Sequence, residues 1–148
     1  MARIRVTKFY DFEMAHALWN YDGLCKNIHG HSYKLFVTVI GIPFSDENNL
    51  KNGMVIDFSD LKNIVKTQIV DKFDHSLVIY KKAPHEKLLE LNEMYERHHV
   101  VEFQPTCENL VVHFVNIIKP LLPPEVKLKN VKLYETASSF AEWDADDN

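Results

Sequence analysis

The sequence predicts an α+β domain built on an antiparallel sheet. Three features predict it: two long alternating segments near the start, two apolar stripes at helical spacing further on, and a return to alternation near the end. At 148 residues one domain can bury a sizeable core without staples. The chain is 46% hydrophobic and 26% charged, which matches ordinary globular proteins and excludes a disordered chain.

From Ile4 to His16, the residues Ile4, Val6, Tyr10, Phe12, Met14 and His16 fall on one side. Arg3, Arg5, Thr7, Asp11 and Glu13 fall on the other, and only Lys8 breaks the first set. A period of two makes this a long half-buried strand. A second strand is predicted from about His29 to Ile40, with His29, His31, Tyr33, Leu35, Val37 and Val39 together. Residues 41–53 form a turn-rich connection. Ser59 is the expected cap of a helix carrying Leu61, Ile64, Val65 and Ile69, ending near Asp74. Thr106 is the expected cap of a second helix with Leu110, Val111, Phe114, Ile117 and Ile118 on its stripe, stopped by Pro120, Pro123 and Pro124. A strand then places Val131, Leu133 and Glu135 on one face, and residues 138–143 supply a last strand.

The domain spans 1–148, with a charged insertion at about 81–103 in which Leu88, Leu91 and Tyr95 suit a short amphipathic helix. An acidic tail at about 144–148 reads as a frayed end. No apolar run reaches the ~20 residues of a membrane span. The first residues run from basic side chains straight into alternation, so the expectation is a cytoplasmic protein without a secretory signal. Cys25 and Cys107 are then free thiols. A net charge of −4 offers nucleic acid no general attraction.

Strand parity makes the candidate chemistry visible. His29 and His31 point to the same side, and if the first two strands pair as a hairpin, His16 joins them. Three neutral imidazoles suit zinc with a fourth position open. A His-x-His pair alone can also arise by chance. His98 and His99 diverge and read as a solvated segment end, His85 as exposed, and His113 as structural packing. Cys25 reads either as a small buried hydrophobe or as a nucleophile or base near a metal. Asp74 and His75 are either an oriented imidazole pair or a simple turn. Glu135 either points inward, where it needs N–H donors, or reaches water at the strand end. Thr106 and Glu108 are explained by the helix start.

In order, the segments MAH (His16), CKNIHGH (25–31), GMVIDFSDLK, FDHSL, PTCENL and YETASSFAEW resemble the 6-pyruvoyltetrahydropterin synthase and 6-carboxytetrahydropterin synthase family over nearly the whole chain. The resemblance implies a tunnelling fold (T-fold). In that fold a four-stranded antiparallel sheet carries two helices on one face, and oligomerisation, as a homohexamer, closes a barrel. It implies zinc on His16, His29 and His31, with Cys25 as catalytic base and Asp74 and His75 as relay partners. Glu135 becomes the pterin anchor, in an assembly whose interface sites allow it to serve a neighbour's metal, and Thr106 a further pterin contact. The short interval from Cys25 to His29 and the ETASSFAEW ending look like the carboxy branch, which acts on 7,8-dihydroneopterin triphosphate in queuosine and 7-deazapurine synthesis. The alternatives are the pyruvoyl branch and a non-catalytic zinc-binding module.

Overall fold

The first two strands pair along their whole length. In the structure, a computed structural model describing residues 1–84, 86–90 and 94–148, β1 (Ile4–His16) and β2 (His29–Gly41) run antiparallel, from Ile4 opposite Gly41 to His16 opposite His29. β5 (Val126–Thr136) adds antiparallel to β2, and β6 (Ser139–Asp144) to β5.

The other edge departs from the expected four antiparallel strands. β3 (Ser76–Tyr80) lies parallel to β1, pairing Met14, Ala15 and His16 with Ser76, Leu77 and Val78. β4 (His98–Val101) lies parallel to β3. The sheet is therefore mixed and six-stranded, in the order β4-β3-β1-β2-β5-β6. SLVIY shows no alternation because both faces of this parallel strand carry apolar side chains, Val78 in the core and Leu77 and Ile79 toward the cavity on the other side. HHVV is only four residues long and sits inside the charged segment, so periodicity cannot detect it.

Helix α1 (Phe58–Val65) continues through a π-helical turn, Lys66–Val70, into the single turn α2 (Asp71–Phe73). Its cap is Asp57, whose carboxylate accepts the Ser59 N–H at 2.8 Å, rather than Ser59 itself. α3 (Glu86–Leu89) falls in the charged segment. Of the stripe expected there, Tyr95 is exposed, whereas His85, Leu91 and the Leu88 side chain lie outside the described residues. α4 (Cys107–Ile118) starts at Thr106, whose hydroxyl accepts the Asn109 N–H, and ends in a 3-10 turn at Lys119–Leu121 that contains Pro120.

One sheet face is covered by the helices. Leu61, Val65 and Ile69 from the first helical run, and Leu110, Phe114 and Ile118 from α4, bury against Tyr33, Leu35, Val37 and Val39. Each fully buried side chain of this kind contributes about 1.5–3 kcal/mol. The opposite face is open, and there Phe9, Phe36, Tyr134 and Phe140 form a ladder across four strands with ring centroids 5.4, 5.8 and 4.7 Å apart.

The chain end is tied down, not frayed. Lys129 is the extra residue of a β-bulge, since Val39 pairs with Leu128 and Thr38 with Asn130. Its buried ammonium meets Asp144 and, at 2.7 Å, Asp146. The lysine pushes the Asp144 carboxyl down to about 2. An ordered acidic pair there offsets the cost of a buried cation.

Candidate active site

Pairing and parity bring three imidazoles to one end of the sheet. His16 faces His29 across the ladder, and His31 stands two residues along the same side of β2. Their rings lie 4.6, 5.2 and 4.9 Å apart, with one ligand nitrogen from each within 4.8 Å of the others. The tautomers follow from the outer partners. His16 Nδ1–H donates to the Pro105 carbonyl at 2.6 Å, and His29 Nδ1–H donates to the Asn27 carbonyl at 2.7 Å. A carbonyl only accepts, so both rings carry their proton on Nδ1 and turn an Nε2 lone pair inward.

Those two Nε2 atoms are 3.0 Å apart. Facing lone pairs at that distance repel unless a proton or a metal ion lies between them. Burial, the largest influence on both, lowers the pKa of His16 and of His31, which works against the proton. His31 Nε2 is buried without a hydrogen-bond partner among the described residues. Three neutral nitrogens converging in this way fit zinc.

Glu135 closes the cluster. Its Oε1 lies 3.3 Å from His16 Nε2 and 3.4 Å from His31 Nε2, and accepts from the Tyr33 hydroxyl at 3.4 Å. Burial first, and the Glu135 charge second, keep the Tyr33 phenol protonated as that donor. The inward reading of Glu135 is therefore the observed one, and the carboxylate lies against the histidines of its own chain.

Asp74 and His75 sit where α2 runs into β3. Asp74 Oδ2 meets His75 Nδ1 at 3.0 Å, and Asp74 Oδ1 accepts the Glu13 N–H at 2.8 Å. The Glu13 hydrogen bond first, and the His75 ring second, hold the Asp74 carboxyl below its usual value. His75 N–H donates to the Glu13 carbonyl at 2.6 Å, and His75 takes the left-handed conformation with φ 56°. A cavity of about 910 Å³ reaches from His31 to His75, with Glu13, Ser32 and Arg97 also in its lining.

The remaining candidates are more distant. Cys25 is exposed in the 3-10 turn Leu24–Lys26, and it does not line that cavity. Thr106 caps α4 beside Pro105, which steadies His16. His99 is not a solvated end: its Nε2 donates to the Lys72 carbonyl at 2.6 Å and its ring packs 4.8 Å from Phe73. His113 packs among Phe73, Phe103 and Phe114, as expected.

Three supporting residues escaped sequence reasoning. Glu13 reads as solvent face, Arg97 as part of a charged run, and Gln104 as prelude to a helix. Gln104 clasps both main-chain groups of Trp19, accepting its N–H at 2.9 Å and donating to its carbonyl at 2.8 Å, and so pins the loop that carries Cys25. The Gln-Pro-Thr segment offers no periodic signal for such a contact across 85 residues.

Among the described residues no helix is long and apolar enough to cross a membrane. The family model described as 6-pyruvoyl tetrahydropterin synthase matches residues 5–146. A Haemophilus influenzae relative named 6-carboxy-5,6,7,8-tetrahydropterin synthase is 35% identical over 94% of this chain and 97% of its own. An Aquifex aeolicus relative of the same name is 33% identical over 93% and 96%. The solved structure of Caenorhabditis elegans 6-pyruvoyl tetrahydropterin synthase superposes with a TM-score of 0.69 at 23% identity, over 98% of this chain and 97% of that one, which shows a shared fold. The chain belongs to the 6-pyruvoyl tetrahydropterin synthase family of enzymes.

Proposed function

We propose that the protein is a zinc-dependent lyase converting 7,8-dihydroneopterin triphosphate and water to 6-carboxy-5,6,7,8-tetrahydropterin, acetaldehyde and triphosphate. Its place is in queuosine and 7-deazapurine biosynthesis, in the cytoplasm. The observation that carries this reading is the pair of inward Nε2 lone pairs on His16 and His29, with His31 Nε2, buried without a hydrogen bond among the described residues, and the Glu135 carboxylate beside them. The names of the relatives in the 6-carboxy branch support the choice of product.

His16, His29 and His31 would hold the ion, which supplies Lewis acidity toward the substrate's side-chain hydroxyls. Glu135 accepts the paired N–H donors of the pterin ring, and Thr106 adds a contact at the ring's edge. Asp74 occupies His75 Nδ1, so Nε2 is the atom through which His75 exchanges a proton with substrate. Cys25 takes a proton from another side, brought in on the loop that Gln104 pins. A homohexamer agrees with the uncovered aromatic ladder and with two sheet edges, β4 and β6, left open in one chain.

The test is incubation of the zinc-loaded protein with dihydroneopterin triphosphate and identification of products by mass. The expected result is a carboxylated tetrahydropterin with one acetaldehyde per turnover. A product that keeps all three side-chain carbons, with no acetaldehyde, would establish the pyruvoyl reaction instead. Unconsumed substrate would leave the zinc-binding module.

A further inference from the structure

A helix end leaves carbonyl groups without partners, and a glycine in left-handed conformation commonly resolves the turn that follows. Neither α2 nor its exit contains glycine; the left-handed residue is His75. The missing cap comes from the far side of the charged segment. Arg97 Nε donates to the Asp74 carbonyl at 3.0 Å, and its Nη2 donates to the carbonyls of Asp71 at 2.7 Å and Lys72 at 3.3 Å. His99, two residues on and within β4, adds its bond to Lys72. A fixed cation at a helix C-terminus also suits the helix dipole.

The peptide unit joining Asp74 to His75 is thereby held at both ends. Its carbonyl accepts from Arg97, and its N–H donates to the Glu13 carbonyl. Fixing that plane fixes ψ of Asp74 and φ of His75 together. Pairing of β4 with β3, which includes the bond from Leu77 N–H to the Arg97 carbonyl at 3.0 Å, sets the arginine opposite the helix end.

We propose that Arg97 is a positioning residue for the Asp74–His75 pair, holding the His75 backbone so that its imidazole faces the cavity shared with His31. The proposal rests on the reading that His75 moves a proton in the reaction. Arg97 lines the same cavity, so a direct grip on the substrate's triphosphate is the rival role that the test must separate.

The experiment compares wild type, Arg97→Ala and Arg97→Lys as zinc-loaded full-length protein. It measures kcat and KM for dihydroneopterin triphosphate and records the imidazole ¹⁵N spectrum of His75, assigned by its loss in His75→Ala. Misplacing a reacting group by about 1 Å costs on the order of 100-fold in rate. Arg97→Ala should therefore lower kcat by about that factor with KM within about twofold, and should move the His75 signals. Arg97→Lys, able to reach one carbonyl, should recover part of both. Arg97→Gln carries the same comparison should the alanine variant not fold. A raised KM with unchanged kcat would assign Arg97 to the substrate and overturn the proposal, as would His75 signals that stay in place. If wild type does not turn over the pterin, the proposed reaction fails while the His75 spectrum still decides the role of Arg97.

Discussion

The histidine cluster and the Asp74–His75 pair each turn one member, His31 and His75, to a single cavity but are assembled in different ways. The cluster comes from adjoining positions of a single hairpin, and its outer partners Asn27 and Pro105 are main-chain carbonyls. The pair stands at a helix end, and its partners Glu13 and Arg97 lie 61 and 23 residues from Asp74. The contrast teaches that a cluster of imidazoles can be built into strand geometry, whereas a side-chain pair at a helix exit must be clamped from several parts of the chain.

The largest expected effect separates metal from dyad. His29→Ala removes one of the three proposed ligands, so zinc affinity should fall by more than the roughly 10- to 100-fold that loss of an outer partner costs. Asp74→Asn should bind zinc as wild type does, since Asp74 has no bond to any of the three imidazoles. Metal content after dialysis against a weak chelator checks both. Zinc loss in Asp74→Asn would show that the two groups are one mechanical unit.

Acid should separate them next. Burial lowers His16 and His31, so the folded, metal-free protein keeps these rings neutral while the unfolded chain takes up protons. Stability is then lost as pH falls from about 6.5 through the lowered values of the folded state. Asp74 loses stability in the same direction but in a lower pH window. Its carboxyl is held low, so its contribution is complete above the ordinary carboxylate value and fades only as pH falls through the folded one. Urea midpoints of the metal-free protein should drop between about pH 7 and 5 and drop less in His16→Ala, with a residual slope from His113, which burial also lowers. A decline confined to pH below about 4 would place the acid sensitivity on carboxylates instead.

The same contrast explains what was legible in the sequence. His16, His29, His31 and Glu135 could be read because a period of two fixes which side a strand residue faces. The bulge at Lys129 left the reading of Glu135 intact because the apolar face resumes at Val131. Asp74 and His75 could be seen as a pair, but Glu13, Arg97 and Gln104 could not, because contacts across long stretches of chain leave no local pattern. β3 and β4 were hidden for a related reason: one is too uniformly apolar and the other too short to alternate. The tail misled because its acidic residues look solvated until Lys129 is known to be buried beneath them.

The smallest expected effect concerns strain rather than chemistry. A non-glycine residue in the left-handed region costs about 1–2 kcal/mol, and His75 with φ 56° bears that cost. Glycine would remove it but brings about 0.5–1 kcal/mol of extra chain entropy in the unfolded state. His75→Gly should therefore be more stable than His75→Ala by about 1 kcal/mol or less, or up to about 2–4 °C in melting temperature. Both variants should lose the proposed contribution of the imidazole to turnover equally. Matching melting temperatures for the two would mean that Glu13 and Arg97 do not hold a strained backbone and that the turn relaxes once the ring is gone. A gap in favour of glycine would mean that the clamps keep position 75 left-handed whatever its side chain, as the two-ended grip on the Asp74–His75 peptide requires.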